Sequence, residues 1–175
     1  CFFDPPLSWL DGKPAVICCF GRTGQTTGRI AKALGMKVLA YDPYVKELPG
    51  EFQSYVTLCG ENEVISGCDF LSLHLPLNDE TRNMISAPQL ASMKAGAYVI
   101  NAARGGIVNE KDLYEALVSG HIAGAAMDVS EVEPMAEENP LRTLDNVIIT
   151  PHLGVYSKEA IGAVSMICAP PDAAC

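Results

Sequence analysis

The segment Thr150-Pro151-His152-Leu153-Gly154 holds a histidine, the side chain that titrates closest to neutrality and so the first candidate for a general acid or base. Glu133, in the run Asp128-Val129-Ser130-Glu131-Val132-Glu133-Pro134, can orient such an imidazole and stabilise its charged form. The proline after it pushes the Glu133 backbone toward extended geometry. Arg104, in Asn101-Ala102-Ala103-Arg104-Gly105-Gly106, offers a planar, permanently charged fork for a carboxylate, and the glycines let the chain turn around it. Passing a hydride between a 2-hydroxy acid and NAD⁺ needs three such groups. One takes the hydroxyl proton, one steadies the imidazolium, and one aims the C2 hydrogen at the nicotinamide. Taken alone, Arg104 is better explained as a surface arginine in a glycine turn. Of the other two histidines, His74 in Leu73-His74-Leu75-Pro76-Leu77 is expected as a wall of a cofactor cleft, and His121, after Ser119-Gly120, as a solvated cap at a helix end.

A second group of residues could hold a dinucleotide. Cys19-Phe20-Gly21-Arg22-Thr23-Gly24 keeps the second and third glycines of a Gly-x-Gly-x-x-Gly turn. Gly21 would let the backbone approach a pyrophosphate, and Gly24 would let the following helix pack close to its strand. The free amides at that helix start favour phosphate. Cys19 stands where the first glycine would be, and its side chain is expected to crowd the turn or weaken binding. Gly28 is expected to weaken the helix by up to ~1 kcal/mol relative to alanine. Asp42 follows Gly21 by 21 residues and could accept both hydroxyls of an adenine ribose while repelling a 2′-phosphate. No Lys or Arg adjoins it, which favours NAD over NADP. The plain alternatives are an ordinary tight turn for the glycines and a turn residue ahead of Pro43 for Asp42. Asp128, at the end of another apolar run, could accept from a carboxamide.

Short apolar runs alternate with helical stretches. Strands are expected at 15–20, 37–41, 69–74, 97–101, 123–127 and 147–149. Helices are expected at 24–34, 61–66 and 88–93, from a cap at Asn109 to about Ser119, and at 157–167, with Gly35 and Gly120 as terminators. Strands separated by helices imply right-handed crossovers and a doubly wound parallel sheet, a three-layer α/β/α single domain. In such a sheet ligands bind beyond the carboxyl ends of the strands, where every candidate above lies.

The composition agrees with a folded chain and excludes several classes. The 175 residues are 49% apolar with a formal net charge of −9, which argues against disorder. An acidic chain without a Lys/Arg cluster is a poor match for nucleic acid or an anionic membrane. No stretch approaches the roughly eighteen apolar residues of a membrane-spanning helix. Seven cysteines are an odd number, none lies in Cys-x-x-Cys, and neither a metal site nor a disulfide framework is expected. Buried or incidental thiols in a reducing, cytoplasmic compartment are the simpler reading, with a redox-sensitive protein as the other. Cys1 is not an initiating Met and no signal peptide is recognisable, so the ends are expected to be those of a piece of a longer gene.

The runs Gly21-Arg22-Thr23-Gly24-Gln25, Tyr41-Asp42-Pro43, Leu73-His74-Leu75-Pro76-Leu77, Asn101-Ala102-Ala103-Arg104-Gly105-Gly106, Ala126-Met127-Asp128-Val129, Glu131-Val132-Glu133-Pro134 and Thr150-Pro151-His152-Leu153-Gly154 together resemble the NAD-dependent D-isomer-specific 2-hydroxyacid dehydrogenases. The likeness runs from about Gly12 to Ala163. It implies a Rossmann-type nucleotide-binding domain with its core at about 12–167. It further implies a catalytic Arg104, Glu133 and His152, and NAD contacts from Gly21, Arg22, Thr23, Gly24, Asp42, Leu75, Pro76, Ala102, Ala103, Arg104, Asp128, His152 and Gly154. Cys19 and Thr23 depart from the family's pattern, which bears on cofactor affinity. The resemblance also implies a small 2-hydroxy or 2-keto acid as substrate, a homodimer, and a second, substrate-binding domain that this chain does not cover. Two other readings share the glycine turn: a dinucleotide-responsive binding module like a transcriptional corepressor, and an S-adenosylmethionine-binding, methyltransferase-like domain.

Overall fold

Pro14–Cys18 is apolar throughout and forms β1, a strand with both faces covered. Its side chains alternate between two cores, as a period of two requires. Val16 and Cys18 join one, while Ala15 and Ile17 join the other. The computed structural model describes residues 10–154 together with 156, 157 and 160. In chain order, β1 is followed by α1 (Arg22–Ala33), β2 (Lys37–Tyr41), β3 (Val56–Leu58), α2 (Glu61–Gly67), β4 (Phe70–Leu73), α3 (Ala87–Ser92), β5 (Ala97–Asn101), α4 (Glu110–Val118), β6 (Ile122–Met127), a 3-10 turn (Pro140–Thr143) and β7 (Val147–Ile149). The sheet has seven strands in the order β3-β2-β1-β4-β5-β6-β7, and every pair is parallel.

That order makes β1 and β4 the switch point, where the chain stops adding strands on one side and starts on the other. A crevice opens there beyond the carboxyl ends, and Gly21 is at its mouth. Gly28 and Ala31 of α1 are buried, and Ala31 packs with Phe20, Met36 and Phe52 on one face. Val64 and Ile65 of α2, Leu90 of α3, and Leu113 and Leu117 of α4 close the other. The doubly wound α/β/α arrangement expected from the alternation is the one observed.

Several details differ from expectation. β3 was not anticipated: three residues are too few to show a period, and the strand forms by pairing Val56 with Val38 at the edge of β2. β1 ends at Cys18, two residues early, because Cys19 turns the chain and Phe20 leaves the sheet to pack edge-on against Phe52 at 5.0 Å. At Gly28 an added Cβ would meet the Phe20 ring at 3.3 Å, so the glycine that lowers helix propensity also lets that ring pack close to α1. His121 is not a solvated cap. Ser119 caps α4, and His121 has its Nε2 buried without a hydrogen-bond partner among the described residues. The helix expected at 157–167 lies, apart from Ser157 and Ala160, outside the described residues.

Candidate active site and nucleotide cleft

The turn after β1 is shaped by three positions. Cys19 sits at φ 71°, the left-handed region glycine enters freely and other residues enter at a cost of roughly 1–2 kcal/mol. Its amide donates to the Tyr41 carbonyl at 2.8 Å, which helps to hold it there. Cys19 thus adopts, with backbone strain, the left-handed conformation that a glycine would enter freely. A Cβ on Gly24 would collide with the Cys19 carbonyl oxygen, which makes glycine a packing requirement there. A Cβ on Gly21 would meet nothing within 4 Å. The protein therefore leaves space above Gly21 that its own packing does not use. No side chain caps the start of α1, so its first-turn amides keep their donors for an anion. Arg22 and Thr23 open that helix and are exposed. This cradle fits a pyrophosphate.

Beside it lies a cavity of about 300 Å³ lined by Cys19, Asp42, Tyr44, Glu61, Leu75, Pro76 and Glu80, among others. Asp42 fills the turn role weighed for it and also lines this cavity. Its Oδ1 accepts from the Tyr44 amide at 2.9 Å, a local turn, and its Oδ2 accepts from the Phe20 amide at 2.8 Å. Each oxygen keeps a second lone pair for a ligand hydroxyl. Among the described residues no cationic side chain lines this cavity, and three carboxylates do. Burial, with Asp42 adding its charge, pushes the Cys19 thiol up. Burial pushes Cys18 up to about 12 and Cys68 to about 11, so these thiols remain protonated. Among the described residues no three His, Cys, Asp or Glu side chains gather as a metal site.

The other candidates stand at the exits of β5, β6 and β7, three adjacent strands. At β5, the buried Asn101 ties the next turn together. Its Oδ1 accepts from Ala103 N at 3.1 Å and its Nδ2 donates to the Arg104 carbonyl at 3.0 Å. Ala102 is exposed and Ala103 buried in that turn. Arg104 is exposed, donates to the Ala103 carbonyl at 2.6 Å, and makes no ion pair among the described residues. A Cβ on Gly105 would collide with the Ser130 carbonyl, so the Arg104 turn rests directly on the segment after β6. That segment is also pinned to the start of α4. Glu110 Oε1 accepts from Glu131 N at 2.6 Å, Glu131 Oε1 accepts from Glu110 N at 3.2 Å, and Asn139 donates to Glu110 Oε2 at 2.6 Å.

Glu133 and His152 meet. His152 Nδ1 lies 2.8 Å from Glu133 Oε2, with both side chains 40% exposed, and Ser130 N donates to Glu133 Oε1 at 3.3 Å. The His152 hydrogen bond holds the Glu133 carboxyl below its ordinary value against the opposing effect of burial, and the Ser130 amide and the charge of Arg104 add to it. His152 takes φ 54°, and its amide donates to the Asp128 carbonyl at 2.7 Å. The pair opens on a cavity of about 710 Å³ floored by Met127, Val147 and Ile149. Asp128 does not stand free: its carboxylate accepts from Thr150 Oγ1 at 2.5 Å, Leu153 N at 2.7 Å and Gly154 N at 2.9 Å. Burial works against ionising it, but these donors outweigh burial and keep its pKa low.

His74 is elsewhere. It is half-buried at the exit of β4, with Nε2 2.9 Å from Ser72 Oγ, and burial lowers its pKa. Asn101, Ser130 and Thr150 were not singled out from sequence. A polar residue ending an apolar strand, and a hydroxyl next to Pro-His, are the signals that could have found them.

The family model described as "D-isomer specific 2-hydroxyacid dehydrogenase, NAD binding domain" matches residues 4–154. A hydroxypyruvate reductase of Blautia hydrogenotrophica is 46% identical over 161 residues, covering 91% of this chain and 49% of that protein. A D-3-phosphoglycerate dehydrogenase of Methanocaldococcus jannaschii is 45% identical over 160 residues, covering 91% of this chain and 30% of that protein. The crystal structure of a glyoxylate reductase from Paecilomyes thermophila superposes with a TM-score of 0.84 at 32% identity, covering 91% of this chain and 48% of that one. The chain thus spans half or less of the length of the curated relatives it matches. With its switch-point crevice, its glycine cradle and the histidine–carboxylate pair at the same sheet edge, the chain belongs to the D-isomer-specific 2-hydroxyacid dehydrogenases, and residues 4–154 are its NAD-binding domain.

Proposed function

We propose that this chain is the cofactor-binding and acid–base half of an oxidoreductase that interconverts a D-2-hydroxy acid and its 2-keto acid. The observation that carries the reading is the 2.8 Å contact between His152 Nδ1 and Glu133, at the carboxyl edge of a sheet whose switch point carries the nucleotide cradle. NAD⁺, when bound, supplies the hydride acceptor. Gly21, Gly24 and the amides at Arg22 and Thr23 hold its phosphates, and Asp42 its adenine ribose. Leu75, Pro76, Ala102, Ala103, Asp128 and Gly154 line the rest of its path. Nδ1–H bonded to Glu133 leaves Nε2 as the free lone pair, so Nε2 takes the hydroxyl proton in oxidation and returns it in reduction. Glu133 steadies the ring while it is charged. Arg104 holds the substrate carboxylate bidentately, which fixes the C2 hydrogen toward the cofactor.

The names of the relatives favour hydroxypyruvate, glyoxylate or D-3-phosphoglycerate as substrate. The complete enzyme is a homodimer of the cytoplasm in this reading, in keeping with the free thiols. Three carboxylates and no cation, among the described residues, around the adenosine cavity support NAD over NADP.

The test has two steps. Calorimetric titration of the chain with NADH, and separately with S-adenosylmethionine, should give binding of NADH alone. His152→Gln, in a form extended to the length of the relatives, should then cut kcat by about 100-fold or more while sparing NADH affinity. Unchanged turnover would refute the base assignment. NADH binding with no turnover by the extended wild type, together with peptide-partner binding, would favour the corepressor-like module.

A further inference from the structure

The His152–Glu133 pair poses a positioning problem. Both side chains are 40% exposed, so water competes for each of them and an ion pair of this kind does little to hold a ring in place. The ring also hangs from a residue at φ 54°, a conformation that a free chain leaves readily. Something other than Glu133 must keep that backbone where it is.

The sheet places one group to do so. β6 and β7 pair in register with Met127 opposite Ile149, so the next residues along, Asp128 and Thr150, leave the sheet side by side. The ladder runs one step further, with Thr150 N donating to the Met127 carbonyl at 3.0 Å and His152 N to the Asp128 carbonyl at 2.7 Å. Beyond that point the chain folds back around a single carboxylate. Thr150 Oγ1 reaches Asp128 Oδ1 from one side of His152, and the amides of Leu153 and Gly154 reach Oδ1 and Oδ2 from the other. His152 is thus flanked before and after by groups fastened to Asp128. A Cβ on Gly154 would come within 3.2 Å of Oδ2, so the fit of the turn to the carboxylate is close.

We propose that Asp128 and Thr150 form a clamp that winds the 150–154 turn around one carboxylate and thereby positions the His152 imidazole against Glu133. Thr150 is a positioning residue: its hydroxyl donates to the carboxylate of the clamp. The proposal rests on the reading of His152 and Glu133 as a working pair, and deepens it by naming what holds them in register.

Thr150→Val keeps the branched shape and removes the hydroxyl, while Thr150→Ser keeps the hydroxyl and removes a methyl. The 175-residue chain is used, and no readout depends on turnover. The Glu133 carboxyl is titrated by carbon NMR, and amide exchange is followed at Leu153 and Gly154. Thr150→Val should raise the Glu133 pKa toward the ordinary glutamate value, because the hydrogen bond from His152 that lowers it is loosened. It should also speed exchange at the two amides by about tenfold, a local opening that leaves the core unaffected. Thr150→Ser should restore both. If Thr150→Val leaves the Glu133 titration and both exchange rates at wild-type values, or if Thr150→Ser fails to restore them, the clamp is wrong. If the clamp holds but His152→Gln leaves turnover intact in the extended form, the base assignment alone fails.

Discussion

Gly21 and Gly24 lie three residues apart in one turn, yet different forces require them. At Gly24 the demand is internal, because a side chain would strike the Cys19 carbonyl. At Gly21 the surrounding protein makes no demand. Gly24→Ala should therefore destabilise the fold by about 1–3 kcal/mol, the cost of overpacking. Gly21→Ala should lower the unfolding free energy by no more than about 1 kcal/mol, the cost of alanine at a helix N-cap, but weaken NADH by about tenfold or more. Denaturation curves and calorimetry on both variants separate the two, and equal stability losses would remove the argument for a phosphate cradle. Asp42 is divided in a similar way, since it braces Phe20 and Tyr44 while facing the cavity beside the β1 turn. Asp42→Ala should weaken NADH more than NADPH on top of a stability loss common to both titrations. Equal losses of affinity for the two cofactors would end its ribose role.

Among the elements, the three strand exits act as one platform because they are fastened to each other. Asn101 folds the β5 exit, Gly105 rests on Ser130 at the β6 exit, Glu110 and Glu131 tie that exit to α4, and Asp128 gathers the β7 exit. Arg104 shares no contact with Glu133 in this arrangement, although its charge helps to keep that carboxyl ionised. The spacing of cation and pair is therefore set by backbone packing at Gly105. Gly105→Ala should push the Arg104 turn off Ser130. In an extended, active form its expected signature is a raised KM for the 2-keto acid and a kcat loss of about tenfold, with NADH affinity less affected. An unchanged KM would show that Arg104 tolerates the shift and does not set substrate position.

For the whole molecule, acid stability follows from the carboxyls held low. Asp69 bridges Lys94 at 2.8 Å and Lys13 at 3.1 Å, tying the starts of β4 and β5 to the residue before β1, and those hydrogen bonds outweigh burial to lower its pKa. Asp128 and Glu133 are lowered as well. A carboxyl whose folded pKa is depressed contributes stability that is fully present above its unfolded value and is lost as pH falls through the folded one. Urea midpoints should thus stay level, as far as these groups are concerned, down to about pH 5 and fall below it. Asp69→Asn should be less stable at pH 7 and show a shallower acid loss than wild type. A parallel acid curve would mean the lysine bridges contribute nothing. At this same scale the relatives are about twice the length of this chain or longer, and Ile148, Leu153 and Tyr156 are exposed near the His152–Glu133 pair.

Fold class and most of the elements were legible in the chain because burial of a parallel sheet imposes unbroken apolar runs, and helix ends need caps and glycines. Asn109 accepting from Asp112 N at 3.0 Å, and Gly35 and Gly120 at positive φ, are local signals that local chemistry satisfies. The candidate residues were legible too, since Arg104, Glu133 and His152 each follow an apolar run. Their relation to one another was not. It depends on strand order and register: Met127 opposite Ile149 brings Asp128 beside Thr150 across 22 residues of sequence. β3 leaves no sequence signal for the same reason, being held by its neighbour more than by its own three residues. Residue type and periodicity are properties of the chain, whereas the clamp, the histidine–glutamate contact and the crevice arise when distant segments are packed side by side. Their geometry is therefore a property of the packed sheet.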